Sequence, residues 1–178
     1  MKVTKCHLEG ILLIEPIVFA DNRGFFLESF EQQRYSEAGI RDRFIQENHS
    51  RSKQNVLRGL HFTKNKPQAQ LLTVMRGRIF DVVVDLRRDS PTFGRWFGTE
   101  LTAEGKPQIY MPHGFAHGFC VLSDVADLHY KVSQPYDPAD EGGLRWNDPD
   151  IGIAWPVEAP EISLRDSAHP LLGELLGI

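Results

Sequence analysis

The 178-residue sequence lacks the features that identify several large classes of protein. It has only two cysteines, Cys6 and Cys120, whose separation matches neither a metal-binding motif nor a disulfide framework. A short apolar run near the N-terminus, Ile11–Ile14, is too short for a signal peptide or a transmembrane helix. We therefore expect a cytoplasmic protein with no membrane partner.

Motifs for several enzyme classes are also missing. No Gly-rich strand-to-helix fingerprint, P-loop, nucleophile elbow or HExxH sequence is present. The formal net charge is −4, so the chain as a whole has no general attraction for nucleic acid. These absences argue against redox and nucleotide-hydrolysing enzymes and against a nucleic-acid partner. Any phosphate group must be bound by a few placed basic residues.

Alternating side chains predict strands through the middle of the chain. In residues 70–86, QLLTVMRGRIFDVVVDL, the side chains alternate between two faces, and Asp81 shares its face with Ile79 and Val83. The pattern breaks at Arg76-Gly77, where glycine can adopt a positive φ. A tight hairpin turn is predicted at this break.

The remaining patterns complete an all-β architecture. Trp96–Leu101 and Gln108–Met111 are predicted to form a second hairpin around a Glu-Gly turn. Helices are predicted only around Ser29–Ala38 and within His169–Leu176. Many short strands, 41% hydrophobic residues and no linker predict a single all-β domain over residues 1–178. We expect a β-sandwich or jelly roll with a few short peripheral helices.

Three short blocks contain residues that can carry chemistry. Asp21–Phe26, taken alone, is typical of a polar turn that enters a strand. Arg58 and His61 lie in an apolar stretch, where an arginine marks an ion pair or an anionic ligand. The histidine there is either a satisfied core residue or a functional one. In Met111–Phe119, a P-x-G-x-x-H sequence is similar to the second half of the cupin signature.

These blocks occur in the order found in one known family. The sequence resembles the dTDP-4-dehydrorhamnose 3,5-epimerases over nearly its whole length. The matching segments are NRGFF at 22–26, QENHS at 46–50, LRGLH at 57–61, DVVVDLR at 81–87, SPTFG at 90–94, GFAHGF at 114–119, YK at 130–131 and WNDPD at 146–150. The resemblance implies a cupin-type jelly roll, a homodimer with exchanged strands, a nucleotide-diphosphate sugar as substrate, and neither a metal nor an organic cofactor.

The resemblance also implies an acid–base mechanism with three catalytic residues. The family's substrate is a 4-keto-6-deoxy sugar, in which the carbonyl acidifies the C3 and C5 protons on either side of it. Removal of a proton gives an enolate, and return of a proton from the opposite face inverts the centre. His61 matches the base, Tyr130 the proton donor, and Asp166 the carboxylate that holds the histidine.

Further positions match residues with which the family contacts its substrate. Arg23 and Arg58 are expected to bind the diphosphate, because guanidinium groups suit phosphate geometry. Tyr136 is expected to stack on the nucleotide base. The full set is Arg23, Glu28, Gln46, Glu47, Asn48, Arg58, Gln70, His117, Tyr136, Glu141 and Arg165.

Gln70 stands where the resemblance leads us to expect a lysine near the sugar. A neutral amide stabilises an enolate oxygen less than an ammonium does. Either another group compensates in a 3,5-epimerase, or the protein is a 3-monoepimerase, or it is an epimerase of another nucleotide-linked 4-keto sugar from an antibiotic-sugar or heptose pathway. A metal-dependent cupin and a non-catalytic sugar-nucleotide binding module also stay open. Against a metal site, His61 has no H-x-H partner, and Lys64 and Lys66 follow it.

Overall fold

In the computed structural model, which describes residues 1–177, fourteen strands and three short helices follow one another along the chain. The strands are β1 (Lys2–Lys5), β2 (Leu12–Glu15), β3 (Val18–Asp21), β4 (Gly24–Leu27), β5 (Gln46–Lys53), β6 (Val56–Thr63), β7 (Gln70–Arg76), β8 (Arg78–Asp85), β9 (Trp96–Thr102), β10 (Gln108–Met111), β11 (Phe115–Val121), β12 (Val125–Val132), β13 (Glu141–Gly143) and β14 (Glu161–Ile162). The helices are α1 (Gln32–Glu37), α2 (Leu164–Ser167) and α3 (Leu172–Leu176). Within residues 1–177 no helix has the length and apolar character that crossing a membrane requires.

The strands form two large sheets and one separate hairpin. The first sheet has the order β1-β2-β10-β7-β12-β5. The second has the order β13-β6-β11-β8-β9, with β14 added parallel to β6. The predicted all-β, cupin-type sandwich with a few short peripheral helices is therefore confirmed.

Both predicted hairpins are wrong as strand pairs. β7 and β8 adjoin at Gly77 but lie in different sheets, and β9 and β10 are separated in the same way. Gly77 does have a φ of 77°, and a side chain there would overlap the backbone of Val125. The tight turn exists, but it carries the chain from one sheet to the other. Alternation identifies a strand because its faces differ in surroundings, and it does not identify the neighbouring strand.

Both faces of β8 are buried, and they contribute to two different cores. Ile79 and Val83 belong to the cluster between the two sheets. Val82 and Val84, on the other face, pack with Trp155 of the C-terminal segment. The acidic, proline-containing tail thus covers the outside of the second sheet, and this fixes the position of α2 beside it.

The helices are short and each begins at a recognisable signal. α1 lies within the predicted segment Ser29–Ala38 and is capped by the side chain of Glu31. α3 lies within the predicted segment His169–Leu176. α2 was not predicted, because four residues are too few to show a helical period. It follows Ser163, whose Oγ accepts a hydrogen bond from the backbone N–H of Asp166 at 3.0 Å.

The hairpin of β3 and β4 carries an unusual number of exposed aromatic side chains. Phe19, Phe25 and Phe26 are 62%, 60% and 68% exposed. Clustered apolar groups of this kind mark surfaces that another molecule covers.

Candidate active site

A cavity of about 370 Å³ opens between the two sheets. Strands β5, β7 and β12 of the first sheet and β6 and β11 of the second contribute to its wall. Most of the residues predicted from the sequence meet there. Those that line the cavity are Gln46, Asn48, Arg58, His61, Gln70, His117, Tyr130, Tyr136, Glu141 and Arg165.

His61 is held from behind by the buried carboxylate of Asp166. The two side chains come from β6 and α2, and His61 Nε2 lies 3.0 Å from Asp166 Oδ1. The other carboxylate oxygen accepts the backbone N–H of Gly59 at 3.0 Å. Burial raises the pKa of Asp166, but the hydrogen bonds from His61 and Gly59 outweigh that effect and hold the pKa well below its usual range. Asp166 therefore stays a carboxylate.

Glycine at position 59 allows the two strands of this region to approach each other. Gly59 has a φ of 118°, and a Cβ there would overlap the backbone of Gly118 on β11. In the register of β6 and β11, His61 lies opposite His117. The close approach of β6 and β11 therefore brings the imidazoles of His61 and His117 to neighbouring positions on the same wall of the cavity.

The surroundings of His61 select one of its tautomers. Nε2 faces the ionised Asp166, and a nitrogen lone pair directed at a carboxylate would be repelled. The proton is therefore assigned to Nε2, and the Arg165 guanidinium, although 3.2 Å from this atom, donates to Asp166 Oδ1 and Glu141 instead. The unprotonated Nδ1 lies 4.0 Å from a carboxylate oxygen of Glu141, on the side of the cavity. His61 is thus arranged to accept a proton from something bound in the cavity.

Tyr130 reaches the cavity from the other sheet. It lies on β12, and burial raises the pKa of its phenol, an effect that the nearby Arg58 guanidinium partly offsets. Arg58 is itself oriented by donating a hydrogen bond from Nε to Ser52 Oγ at 2.8 Å. A neutral phenol can donate a proton, so an acid and a base border the cavity from two sides.

Amides form part of the wall on the side of the first sheet. Gln70 Nε2 donates to Gln68 Oε1 at 3.3 Å, and Gln46 Nε2 donates to Asn48 Oδ1 at 2.8 Å. Within residues 1–177, no lysine is among the residues that line this cavity. Gln70 therefore occupies a place on the wall from which a longer, charged side chain would reach into the cavity.

Three predicted substrate contacts lie outside the cavity of their own chain and remain predictions. Arg23 is at the tip of the β3–β4 hairpin, 2.6 Å from Asp21. Glu28 contacts Arg34 at 3.3 Å. Glu47 points to the outer face of the first sheet, because side chains of β5 alternate and Gln46 and Asn48 face inward. There it accepts hydrogen bonds from His129 and Lys131.

Two further residues of the site were not predicted. Asp81 is fully buried and lies 2.8 Å from His117 Nε2, so that a second histidine–aspartate pair stands beside the first. A carboxylate between Ile79 and Val83 on the same strand face is the signal that could have identified it. His169 lies next to His61, with ring centroids 5.6 Å apart. Nothing in the local sequence distinguishes His169 from a surface histidine.

The same region contains three groups that could in principle bind a metal ion. Ligand atoms of His61, Asp166 and His169 lie within 4.8 Å of one another. However, the Arg165 guanidinium is 3.3 Å from Asp166 Oδ1 and 3.2 Å from His61 Nε2. A fixed positive charge in contact with two of the three ligands opposes a cation, so the donor set does not suit a metal-dependent cupin.

Comparison with known proteins gives a consistent result. A family model described as dTDP-4-dehydrorhamnose 3,5-epimerase matches residues 5–174. The dTDP-4-dehydrorhamnose 3,5-epimerase of Salmonella typhimurium is 49% identical over 179 residues, covering 99% of this chain and 98% of that protein. The dTDP-4-dehydrorhamnose 3-epimerase of Streptomyces niveus is 44% identical, covering 98% of this chain and 85% of that protein. The crystal structure of dTDP-6-deoxy-D-glucose-3,5-epimerase from Legionella pneumophila, in complex with dTDP-4-keto-L-rhamnose, has a TM-score of 0.94 and 45% identity, covering 97% of this chain and 93% of that one.

Proposed function

The chain belongs to the dTDP-4-dehydrorhamnose 3,5-epimerase family, and we propose that it converts dTDP-4-dehydro-6-deoxy-D-glucose into dTDP-4-dehydro-L-rhamnose. The observation that carries the proposal is the pair of proton-transfer groups on two sides of one cavity. His61, backed by Asp166, comes from the second sheet, and Tyr130 comes from the first. Such an isomerase needs an acid and a base and no oxidant or reductant.

The proton transfers follow from the chemistry of the 4-keto sugar. The C4 carbonyl acidifies the C3–H and C5–H bonds beside it, and His61 Nδ1 removes the proton to leave an enolate. The carboxylate of Asp166 stabilises the imidazolium that forms, because it accepts the Nε2–H at 3.0 Å. Tyr130 then returns a proton to the opposite face of the same carbon, which inverts it. His61 then releases its proton to solvent and Tyr130 takes one up, which restores the starting protonation states. A second round at the other carbon gives the 3,5-epimer.

Binding of the nucleotide part is assigned to the cationic and aromatic residues at the cavity. Arg58 and Arg165 line it and can form charge-assisted hydrogen bonds with a diphosphate. Tyr136 is 55% exposed at the same opening, where its ring is free to stack on a base. These few groups give an acidic protein a local site for an anion.

Gln70 favours a second candidate function, in which only C3 is inverted. The family lysine expected at this position would stabilise the enolate oxygen, and loss of such a contact lowers the rate by roughly 10²–10³. A 3-epimerase is among the relatives, at 44% identity. The substrate class and the base would be the same, so the two candidates differ only in the second inversion.

Incubation with dTDP-4-dehydro-6-deoxy-D-glucose in D₂O, followed by NMR, tests both candidates. Exchange at C3–H and C5–H supports the 3,5-epimerase, and exchange at C3–H alone supports the 3-epimerase. If neither carbon exchanges its proton, the assignment for this substrate is overturned. His61→Ala should abolish both exchanges, whereas Gln70→Lys should leave them at least as fast. A chelator should have no effect.

We further propose a homodimer in which the β3–β4 hairpin of one subunit completes the site of the other. The hairpin carries the exposed aromatic residues Phe19, Phe25 and Phe26 together with Arg23. β5 borders the cavity and, within residues 1–177, pairs only with β12, so its other side is open to a partner strand. A hairpin donated to that edge would bring Arg23 to a cavity that it does not reach in its own chain.

Subunit complementation tests this arrangement. Arg23→Ala and His61→Ala subunits are each expected to be nearly inactive alone. Co-refolded together, they should regain activity, because one site of the mixed dimer combines an intact His61 with an intact Arg23 from the other subunit. If Arg23 serves its own subunit, both sites of the mixed dimer remain defective and no activity returns. Light scattering should give the mass of two chains.

A further inference from the structure

His169 places a second imidazole beside the proposed base, and the proposed proton transfers do not use it. It follows Asp166 by three residues, where the chain leaves α2. Its backbone is anchored by Arg145: the carbonyl of His169 accepts a hydrogen bond from Arg145 Nε at 3.0 Å, and the carbonyl of Pro170 accepts one from Arg145 N at 2.9 Å. The ring therefore projects from a fixed support.

The ring of His169 occupies the space between His61 and the strand next to it. The two imidazoles meet edge to face, with centroids 5.6 Å apart and planes at 82°. Gly143 of β13 is the cross-strand neighbour of His61, and a Cβ at Gly143 would overlap the His169 ring. Only a glycine there leaves room for the ring, so β13 and His169 together form one side of the pocket in which His61 sits.

The structure keeps this ring neutral and leaves one of its nitrogens without a partner. Burial lowers the pKa of His169, and the nearby His61 lowers it further. Nδ1 is buried and has no hydrogen-bond partner within residues 1–177. A buried nitrogen without a hydrogen-bond partner destabilises the fold. We therefore attribute the role of His169 to the shape of its ring, which lies beside His61.

We propose that His169 is a positioning residue for the base. Its ring holds the imidazole of His61 in the orientation that keeps Nε2 on Asp166 and turns Nδ1 toward the cavity. This inference rests on the proposed epimerase function, because it gives His61 the role of base. Without the ring, His61 has space to rotate away from Asp166, and the catalytic tautomer is then no longer enforced.

Kinetics of three variants test the proposal. His169→Ala should lower kcat about tenfold, as expected for a misplaced catalytic group, and leave KM unchanged because the substrate contacts are intact. His169→Phe should restore most of kcat, since it supplies a ring of similar shape. Gly143→Ala should lower kcat by displacing the ring, but should have no effect in the His169→Ala background, where the space is free. Gly143 has no positive φ, so alanine fits its backbone.

A measurement without substrate separates this proposal from the proposed function. Long-range ¹H–¹⁵N spectra of histidine-labelled protein report the tautomer of His61. We expect a single Nε2–H tautomer in the wild type and in His169→Phe, and a mixture in His169→Ala. An unchanged tautomer with unchanged kcat in His169→Ala would overturn the proposal, and so would equal losses of kcat in the alanine and phenylalanine variants. If His169→Ala does not fold, Gly143→Ala provides the same comparison by moving the ring without deleting it.

Discussion

Two histidine–aspartate pairs stand side by side in the cavity wall, and they differ in how their carboxylates are satisfied. His61 and His117 are opposite each other in the register of β6 and β11, and each donates to an aspartate, at 3.0 and 2.8 Å. The side chain of His61 is 27% exposed and that of His117 only 12%. The first imidazole is thus the more accessible to a bound molecule.

The carboxylates themselves differ more than the imidazoles. Both oxygens of Asp166 accept hydrogen bonds, from His61 and from the backbone N–H of Gly59. In Asp81, one oxygen binds His117, and the other is buried without a partner within residues 1–177. A fully satisfied carboxylate stays ionised and stabilises an imidazolium. The first pair therefore suits proton transfer, and the second suits the orientation of a contact residue.

The largest expected effect separates the two aspartates. In Asp166→Asn, the amide oxygen must stay on the Gly59 N–H, which turns the NH₂ group toward His61 Nε2 and forces the wrong tautomer. We expect kcat to fall about 10⁴-fold, the size of loss found when the aspartate that orients a catalytic histidine is replaced by asparagine. In Asp81→Asn, the NH₂ group can occupy the side without a partner, so the loss should be only about 10–100-fold. Equal losses in the two variants, measured by C3–H exchange with folding checked by circular dichroism, would remove the distinction.

The stability of the two pairs should also respond differently to apolar replacement. Asp81→Ala leaves His117 without its partner and should lower the free energy of unfolding by about 3 kcal/mol. The double variant Asp81→Leu/His117→Phe should recover nearly all of that loss, because both polar groups are gone. The matching double variant Asp166→Leu/His61→Phe should stay less stable than the wild type, because the buried N–H of Gly59 has lost its acceptor. Urea unfolding of the wild type and of these three variants measures the differences.

Acid should weaken the interaction between His61 and Asp166 in a defined pH range. The pKa of Asp166 is lowered in the folded protein, so its contribution to stability is present above the unfolded value of about 3.9 and is lost as the pH falls toward the folded value. The free energy of unfolding of the wild type should exceed that of Asp166→Asn by about 2 kcal/mol at neutral pH. This difference should shrink below about pH 4. A difference that stays constant down to acid pH would contradict the assigned charge on Asp166.

The smallest expected effect concerns the helix that carries Asp166. Ser163→Ala removes the cap of α2, and Glu31→Ala removes the cap of α1, far from the cavity. Each should lower the free energy of unfolding by about 1 kcal/mol. Only Ser163→Ala should also lower kcat, because Ser163 Oγ accepts the backbone N–H of Asp166. Equal kcat values in the two variants would show that the cap does not contribute to the position of Asp166.

Much of the site could be predicted from the sequence because its short motifs occur in the same order as in one known family. That resemblance pointed to His61, Tyr130 and Asp166, and in the structure His61 and Tyr130 line one cavity while Asp166 lies behind the histidine. Local pattern also decides which side of a strand a residue takes. The alternation of β5 that puts Gln46 and Asn48 in the cavity necessarily puts Glu47 outside it.

The sequence by itself determined the strands from residue 70 to residue 111 and the chemical types available for proton transfer. Only the tertiary structure decided that β7 and β8 leave Gly77 for different sheets, that His117 meets Asp81, and that His169 stands beside the His61–Asp166 pair. The physical reason is that side-chain periodicity records the surroundings of each strand face locally. The choice of strand partner and the meeting of distant side chains depend on how the two sheets close around one core, and that closure is a property of the whole chain.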